Sequence, residues 1–257
     1  TRSTSFFANS ELASGGLPTA DEAKLLEPFK DQLPPEVFTA PFALPVTSGD
    51  GNQRDQLRQA VSMLKTAGWE LRNGVMTNMQ SGQPFTFEIL LVQDNFIRVT
   101  QPLVKALERI GIKAAIRGID TAQYQNRLND FDYDMIVSSA GQSLSPGNEQ
   151  TNYWGSLASD LKGSSNFAGV RSPAVDALIA KIVQAPDRAS LVTAVHALDR
   201  VLLNGYYVIP QWHMAAHRVA YWNRFSHFEV LQKYGFGFPD VWWVDAAKDA
   251  ALARKNR

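Results

Sequence analysis

The sequence predicts an α/β fold built on a parallel sheet, and three stretches carry that prediction. Residues 85–92 are dominated by aromatic, β-branched and aliphatic side chains over the length of a buried strand; residues 112–119 and 133–137 repeat the pattern. Between the first two, Phe96, Val99, Leu103, Leu107 and Ile110 recur at helical spacing, and Gly111 supplies a stop. Between the second and third, Asp120 caps a short helix over 121–128, with Gln123 placed to complete a capping box. Strand, helix, strand, helix, strand implies parallel pairing through right-handed crossovers. In such sheets ligands gather beyond the carboxyl ends of the strands. The polar loop 141–147, which follows the third strand, is therefore the first candidate site.

The other elements follow in chain order. Residues 1–16 are small and polar apart from Phe6 and Phe7, and 21–29 predict a short helix through Leu25 and Leu26. Pro34, Pro35, Pro41 and Pro45 predict an extended, polyproline-like surface crossing. Leu57, Val61 and Leu64 mark an amphipathic helix over 53–66, ended by Gly68; after Trp69, Asn73 and Gly74 supply a hairpin turn. Residues 156–169 read as loop. Ser172 and Pro173 start a helix whose buried stripe is Val175, Leu178, Ile179 and Ile182. A second helix, 188–203, buries Leu191, Val195, Leu198 and Leu202 and stops at Asn204 and Gly205. Residues 206–212 and 218–222 predict strands. An aromatic loop follows, then an alanine- and lysine-rich tail expected to fray.

Composition narrows the function classes. Hydrophobic residues make up 45% and charged residues 19%, the values of a globular chain. Lys plus Arg and Asp plus Glu balance at 25 each, so nothing draws the chain to nucleic acid or an anionic membrane. The absence of cysteine excludes disulfides, thiol catalysis and thiolate metal sites. No apolar run approaches the roughly 20 residues that span a bilayer.

Several residues could carry chemistry. The run from Gly141 to Ser145 resembles the G-x-S-x-G nucleophile elbow, but Ser145 stands where the closing glycine is needed. With a later acid and His213 it supplies a serine-hydrolase order on paper, with Ser143 as nucleophile. The same hydroxyls and amides suit binding, as neutral partners for a peptide backbone or a carboxylate. Gln142, Ser143, Ser145 and Asn148 are therefore candidate ligand contacts. Tyr153 and Trp154 follow the loop directly, and Trp212 ends a predicted strand; each suits ligand contact or core packing. Tyr124 and Arg127 lie on the short helix, where Arg127 suits a ligand carboxylate or a surface salt bridge. Asp130, Asp132 and Asp134 alternate as in a calcium loop, but Met135 and Gly141 occupy the positions of its obligatory glycine and closing glutamate. His213 and His217 lack the glutamate of a zinc-binding H-E-x-x-H helix. No metal or cofactor is expected.

The stretch LERIGIKAAIRGIDTAQYQNRL, followed by FDYDMIVSSAGQSLSPGNEQ, resembles the second-lobe core of the family 5 extracellular solute-binding proteins. Asn166 with Phe167, SPAVDALIAKI and VIPQW continue the likeness in order, over roughly residues 57–243. SFFANSELASGGLP and QSLSPGNEQ are similar to the branch that serves peptide and peptide-antibiotic import. The resemblance implies a type II periplasmic-binding-protein fold. Residues 1–45 would connect from a first lobe, 46–212 would form the second lobe, and 213–257 would return to the first. It further implies a periplasmic monomer that captures peptides or peptide-like solutes and hands them to the membrane subunits of an ABC importer. The signal peptide and first lobe would then lie upstream of Thr1, leaving Phe6, Phe7, Trp242 and Trp243 as an open apolar face. Many members carry an aromatic and an aspartate at and just before the 141–147 loop, the aspartate gripping a ligand amine; Ala140 and Ser143 stand there instead. A ligand-sensing regulator domain is a third reading, which the neutral charge does not favour.

Overall fold

A computed structural model of the chain describes residues 1–92, 94–229 and 237–255. The first helix, α1 (Ala20–Leu26), is capped by Thr19 and runs into a 3-10 turn over Glu27–Gln32. Next come α2 (Glu36–Thr39) and α3 (Arg54–Thr66). A hairpin, β1 (Trp69–Arg72) and β2 (Val75–Asn78), turns at Asn73 and Gly74, both with positive φ as a two-residue primed turn requires. The parallel unit is β3 (Thr86–Leu91), α4 (Asp94–Glu108), β4 (Lys113–Gly118), α5 (Thr121–Asn129) and β5 (Met135–Ile136). Then come α6 (Glu149–Trp154), a 3-10 turn over Ser156–Asp160, α7 (Pro173–Val183) and α8 (Arg188–Asn204). A final hairpin of β6 (Phe225–His227) and β7 (Trp242–Val244) leads into α9 (Ala246–Lys255).

The central sheet has the order β4-β3-β5, and both pairings are parallel, as the alternation of strand and helix predicts. Ile89 sits beside Ile116 on one side and Met135 on the other. The third strand is shorter than expected because Asp134 accepts the Glu88 N–H through its side chain, at 2.8 Å, and so begins the strand only at Met135. Ile89 and Leu91 form an apolar layer with Val104 of α4. A second and larger core joins α7 and α8 to the amino-terminal segment through Phe7, Leu12, Leu26 and Val37. The helix caps fall where the sequence places them: Asp120 accepts from Gln123 N–H at 2.9 Å, and Ser172 accepts from Val175 N–H.

Four expectations are corrected. The proline-rich crossing contains α2, because Pro35 is compatible with a helix start and Val37 buries completely. Residues 206–212 and 218–222 form no regular strand; a single antiparallel bridge joins Trp212 to Arg2, because a strand needs a partner ladder and here only Arg2 bridges to Trp212. The alanine-rich tail, expected to fray, is helical to Lys255, with 256–257 outside the described residues. Residues 230–236 of the aromatic loop also lie outside them. Phe6 and Phe7 are not an open face: Phe7 is buried and Phe6 packs edge-on against Trp154. Trp243 is half exposed and Trp242 packs among Tyr221, His227 and Phe238, while Val208, Ile209, Trp212, Met214 and Trp222 are open.

Candidate binding site

A cavity of about 800 Å³ opens beside the loop that follows β5. One wall is that loop, through Ser138, Ser139, Gln142 and Ser143. The amino-terminal segment faces it through residues 3–10, and residues 208–213 close a third side. Tyr153, Trp154 and Phe167 add aromatic surface. Among the described residues lining it there is no Asp, Glu, Lys or Arg; the wall consists of hydroxyls, amides, aromatic rings, aliphatic side chains such as Leu144, Leu203, Val208 and Ile209, and the His213 imidazole.

The amino-terminal wall is held by residues far away in the chain. Asp199 of α8, fully buried, accepts from Ser5 Oγ (2.8 Å), Phe6 N–H (2.8 Å), Ser14 N–H (2.9 Å) and Ser14 Oγ (2.7 Å). Burial pushes its carboxyl above the ordinary range, although these four donors pull the other way. The next residue, Arg200, is 2% exposed and donates to Gly16 O (2.8 Å), Gly15 O (3.2 Å) and Glu22 (3.0 Å). His196, one turn earlier, places Nδ1 3.2 Å from Glu22 and Nε2 2.8 Å from Glu11 O. Two acceptors, one at each ring nitrogen, suit the imidazolium. The Glu22 bond, against the effect of burial, holds the His196 pKa above its ordinary value. Burial raises Glu22 in turn, but the bonds from His196 and Arg200 outweigh it and leave its pKa lowered.

The opposite walls are fixed by two tyrosines. Tyr133 Oη donates to Phe167 O at 2.9 Å, and burial, with a further push from Tyr124, raises its pKa to about 12, so it stays a donor. Tyr124 Oη donates to Val137 O, at 3.4 Å, immediately before Ser138. Asn166, completely buried, ties Gly155 O and both backbone groups of Val170, which makes it a staple of the loop that carries Phe167.

The residues singled out from sequence are only partly gathered together. Gln142, Ser143, Tyr153, Trp154 and Trp212 line the cavity, with Trp212 at its rim and 55% exposed. Ser145 and Asn148 line a separate cavity of about 390 Å³ against the α7–α8 turn. Arg188, which lines the smaller cavity, donates to the carbonyl of Leu144, which lines the larger, and to Glu11. Tyr124 and Arg127 line neither. Arg127 is engaged with Glu88 (3.0 Å) and Asp132 (2.9 Å), the surface salt bridge that was one of its two readings. Ser143 Oγ accepts from Ser145 N–H at 3.2 Å, while His213 Nδ1 lies 3.1 Å from Ser3 Oγ. Asp130 pairs with Lys162 at 2.5 Å.

Sequence reasoning missed residues 3–10 and Phe167 as parts of this cavity, and Gln150 as the buried support of Gln142 behind it. Gln150 is wholly buried on α6, accepts from Trp154 Nε1 at 3.2 Å and donates to Gln142 Oε1 at 2.7 Å. A glutamine in a region of polar residues carries no local signal of burial, so only the packing could reveal it.

Comparison with known proteins places this geometry in context. Residues 27–192 match the family model described as bacterial extracellular solute-binding proteins, family 5 Middle. The probable peptide-binding protein YejA of Agrobacterium fabrum is 49% identical over 246 residues, covering 96% of this chain and 40% of that protein. The uncharacterized protein YejA of Escherichia coli is 38% identical, covering 100% of this chain and 42% of its own. The chain thus spans about two fifths of the length of these curated relatives. The oligopeptide-binding protein AppA of Bacillus subtilis, solved with a nonapeptide, superimposes with a TM-score of 0.56 at 17% identity, over 88% of this chain and 45% of that one. That likeness is one of fold.

Proposed function

The chain belongs to family 5 of the bacterial extracellular solute-binding proteins and has their type II periplasmic-binding-protein α/β fold, and from that premise we propose that it captures peptides or peptide-like solutes for an ABC importer, without catalysis. The observation that carries the reading is the cavity beside the β5 loop, whose described lining contains no Asp, Glu, Lys or Arg. Its volume of about 800 Å³ falls within the roughly 300–1,000 Å³ of small-molecule sites. Serine hydroxyls and amides answer the alternating donors and acceptors of a peptide backbone, and Tyr153, Trp154 and Trp212 offer apolar surface to side chains. The name of the A. fabrum relative, a probable peptide-binding protein, supports the same ligand class.

In this reading residues 46–212 act as the second lobe, 1–45 connect from a first lobe and 213–257 return to it. The lobes close on the solute, displace water, and present the closed form to the importer's membrane subunits. The protein works as a periplasmic monomer, with a signal peptide upstream and no nucleic-acid partner. Isothermal calorimetry of the full-length protein with tetra-alanine tests this: saturable binding is expected. Mass spectrometry of the peptide after incubation should return it intact. Absence of binding to any short peptide would sink the capture reading, and cleaved peptide would replace it with a hydrolase.

A further inference from the structure

Resting on the peptide-capture reading, we propose that Gln142 meets a carboxylate oxygen of the solute, and that buried Gln150 is the positioning residue that turns the Gln142 amide that way round. The argument begins at Trp154, whose indole N–H can only donate. It lies 3.2 Å from one end of the Gln150 amide, which must therefore be the oxygen. The other end of Gln150 is then its NH₂ group, placed 2.7 Å from Gln142 and 3.3 Å from Glu149 Oε1. Facing a donor, Gln142 must present its oxygen there. Its own NH₂ is left over: Gln142 Nε2 is buried and, among the described residues, has no hydrogen-bond partner.

A buried amide donor without an acceptor is costly and calls for an explanation. Gln142 forms part of the cavity wall, in a loop without regular structure, so a small adjustment brings its donor to a solute. No carboxylate lines the cavity to serve as acceptor among the described residues. The acceptor therefore arrives with the solute. A solute ammonium would meet a donor at this point and be disfavoured.

Three substitutions test the relay. Gln150→Glu, measured at a pH high enough to ionise the new buried carboxyl, leaves only acceptors beside Gln142, which then has to turn its NH₂ inward and its oxygen toward the cavity. Gln142→Glu removes the donor itself. Calorimetry of the full-length protein compares N-acetyl-tetra-alanine, which ends in a carboxylate and has no ammonium, with tetra-alanine amide, which has the reverse. The native protein should prefer the acetylated probe, and Gln150→Glu should cut the preference by about 2–12-fold, the range of one neutral hydrogen bond. Gln142→Glu should cut it at least as far, and Gln150→Met, which fills the volume without orienting the amide, should fall between. An unchanged or increased preference in Gln150→Glu overturns the proposal. A solute-free measurement separates this from the capture reading: in Gln150→Glu one side-chain amide proton of Gln142 should move downfield in the NMR spectrum as it bonds the new carboxylate. No shift overturns the relay whatever the peptides do. A native protein that binds neither probe overturns peptide capture and leaves the relay to be decided by the NMR result alone.

Discussion

Replacing Asp199 by alanine should destabilise the protein by roughly 2–6 kcal/mol, and the count behind that figure comes from its four donors. Two are hydroxyls, Ser5 Oγ and Ser14 Oγ, which can rotate to other acceptors. Two are backbone N–H groups, of Phe6 and Ser14, which cannot be re-aimed without moving the chain. Each stranded buried N–H costs about 1–3 kcal/mol, and two give the range above. Asp199→Asn should cost about half as much. Its remaining carbonyl oxygen serves one N–H, and it relieves the burial of a charge that holds the native carboxyl above its ordinary pKa. Equilibrium urea unfolding, followed by tryptophan fluorescence, measures both variants as a fall in midpoint at constant slope. The same variants should lose affinity for peptide, because Ser5, Phe6 and Phe7 line the cavity. An alanine variant within about 0.5 kcal/mol of the native protein, or an asparagine variant worse than alanine, would refute the reasoning from stranded donors.

Three further outcomes follow from the same structure. His196 has a raised pKa, so its contribution is full below the unfolded value of 6.5 and is lost as pH rises through the folded one; Glu22 has a lowered pKa, so its contribution is present above 4.5 and lost as pH falls through the folded one. Unfolding midpoints should therefore fall on either side of that interval, and His196→Leu should flatten the alkaline limb; an unaltered limb would show that the Glu11–Glu22 contacts do not depend on the imidazolium. Gly111→Ala should lower the thermal midpoint, since φ is +79° and the new methyl would sit 2.8 Å from Met76 N, a position that costs at least about 1–2 kcal/mol; a neutral result in a thermal melt would contradict it. Trp212→Ala should change stability by less than about 1 kcal/mol, the residue being 55% exposed, yet weaken tetra-alanine binding measured by calorimetry; unaltered affinity would remove Trp212 from the site.

What the sequence determined by itself lies within short range. The Asp120 and Ser172 caps, the Asn73 and Gly74 turn and the runs that became β3 and β4 are each specified by neighbours a few residues apart, so their physics is written locally. The parallel pairing was legible too, because alternating strands and helices leave few other topologies. Residues 206–212 show the limit: their composition suits a strand, but a strand exists only if another chain segment pairs with it, and Arg2 alone does so at Trp212. The candidate site was half legible for the same reason. Loop 141–147 could be placed beyond a strand end, yet its residues are shared between two cavities, and Arg188, far along the chain, bonds Leu144 O and Glu11 there. For Arg127 a surface salt bridge was the default and a ligand carboxylate the alternative, and Glu88 and Asp132, within 3.0 Å and 2.9 Å of it, form that salt bridge. The opposite wall rests on Asp199, whose partners lie 185–194 residues away, and nothing in the local pattern of α8 distinguishes that carboxylate from a solvated one. Burial and the direction of a polar group are set by atoms from distant parts of the chain, and only the tertiary structure brings those atoms together.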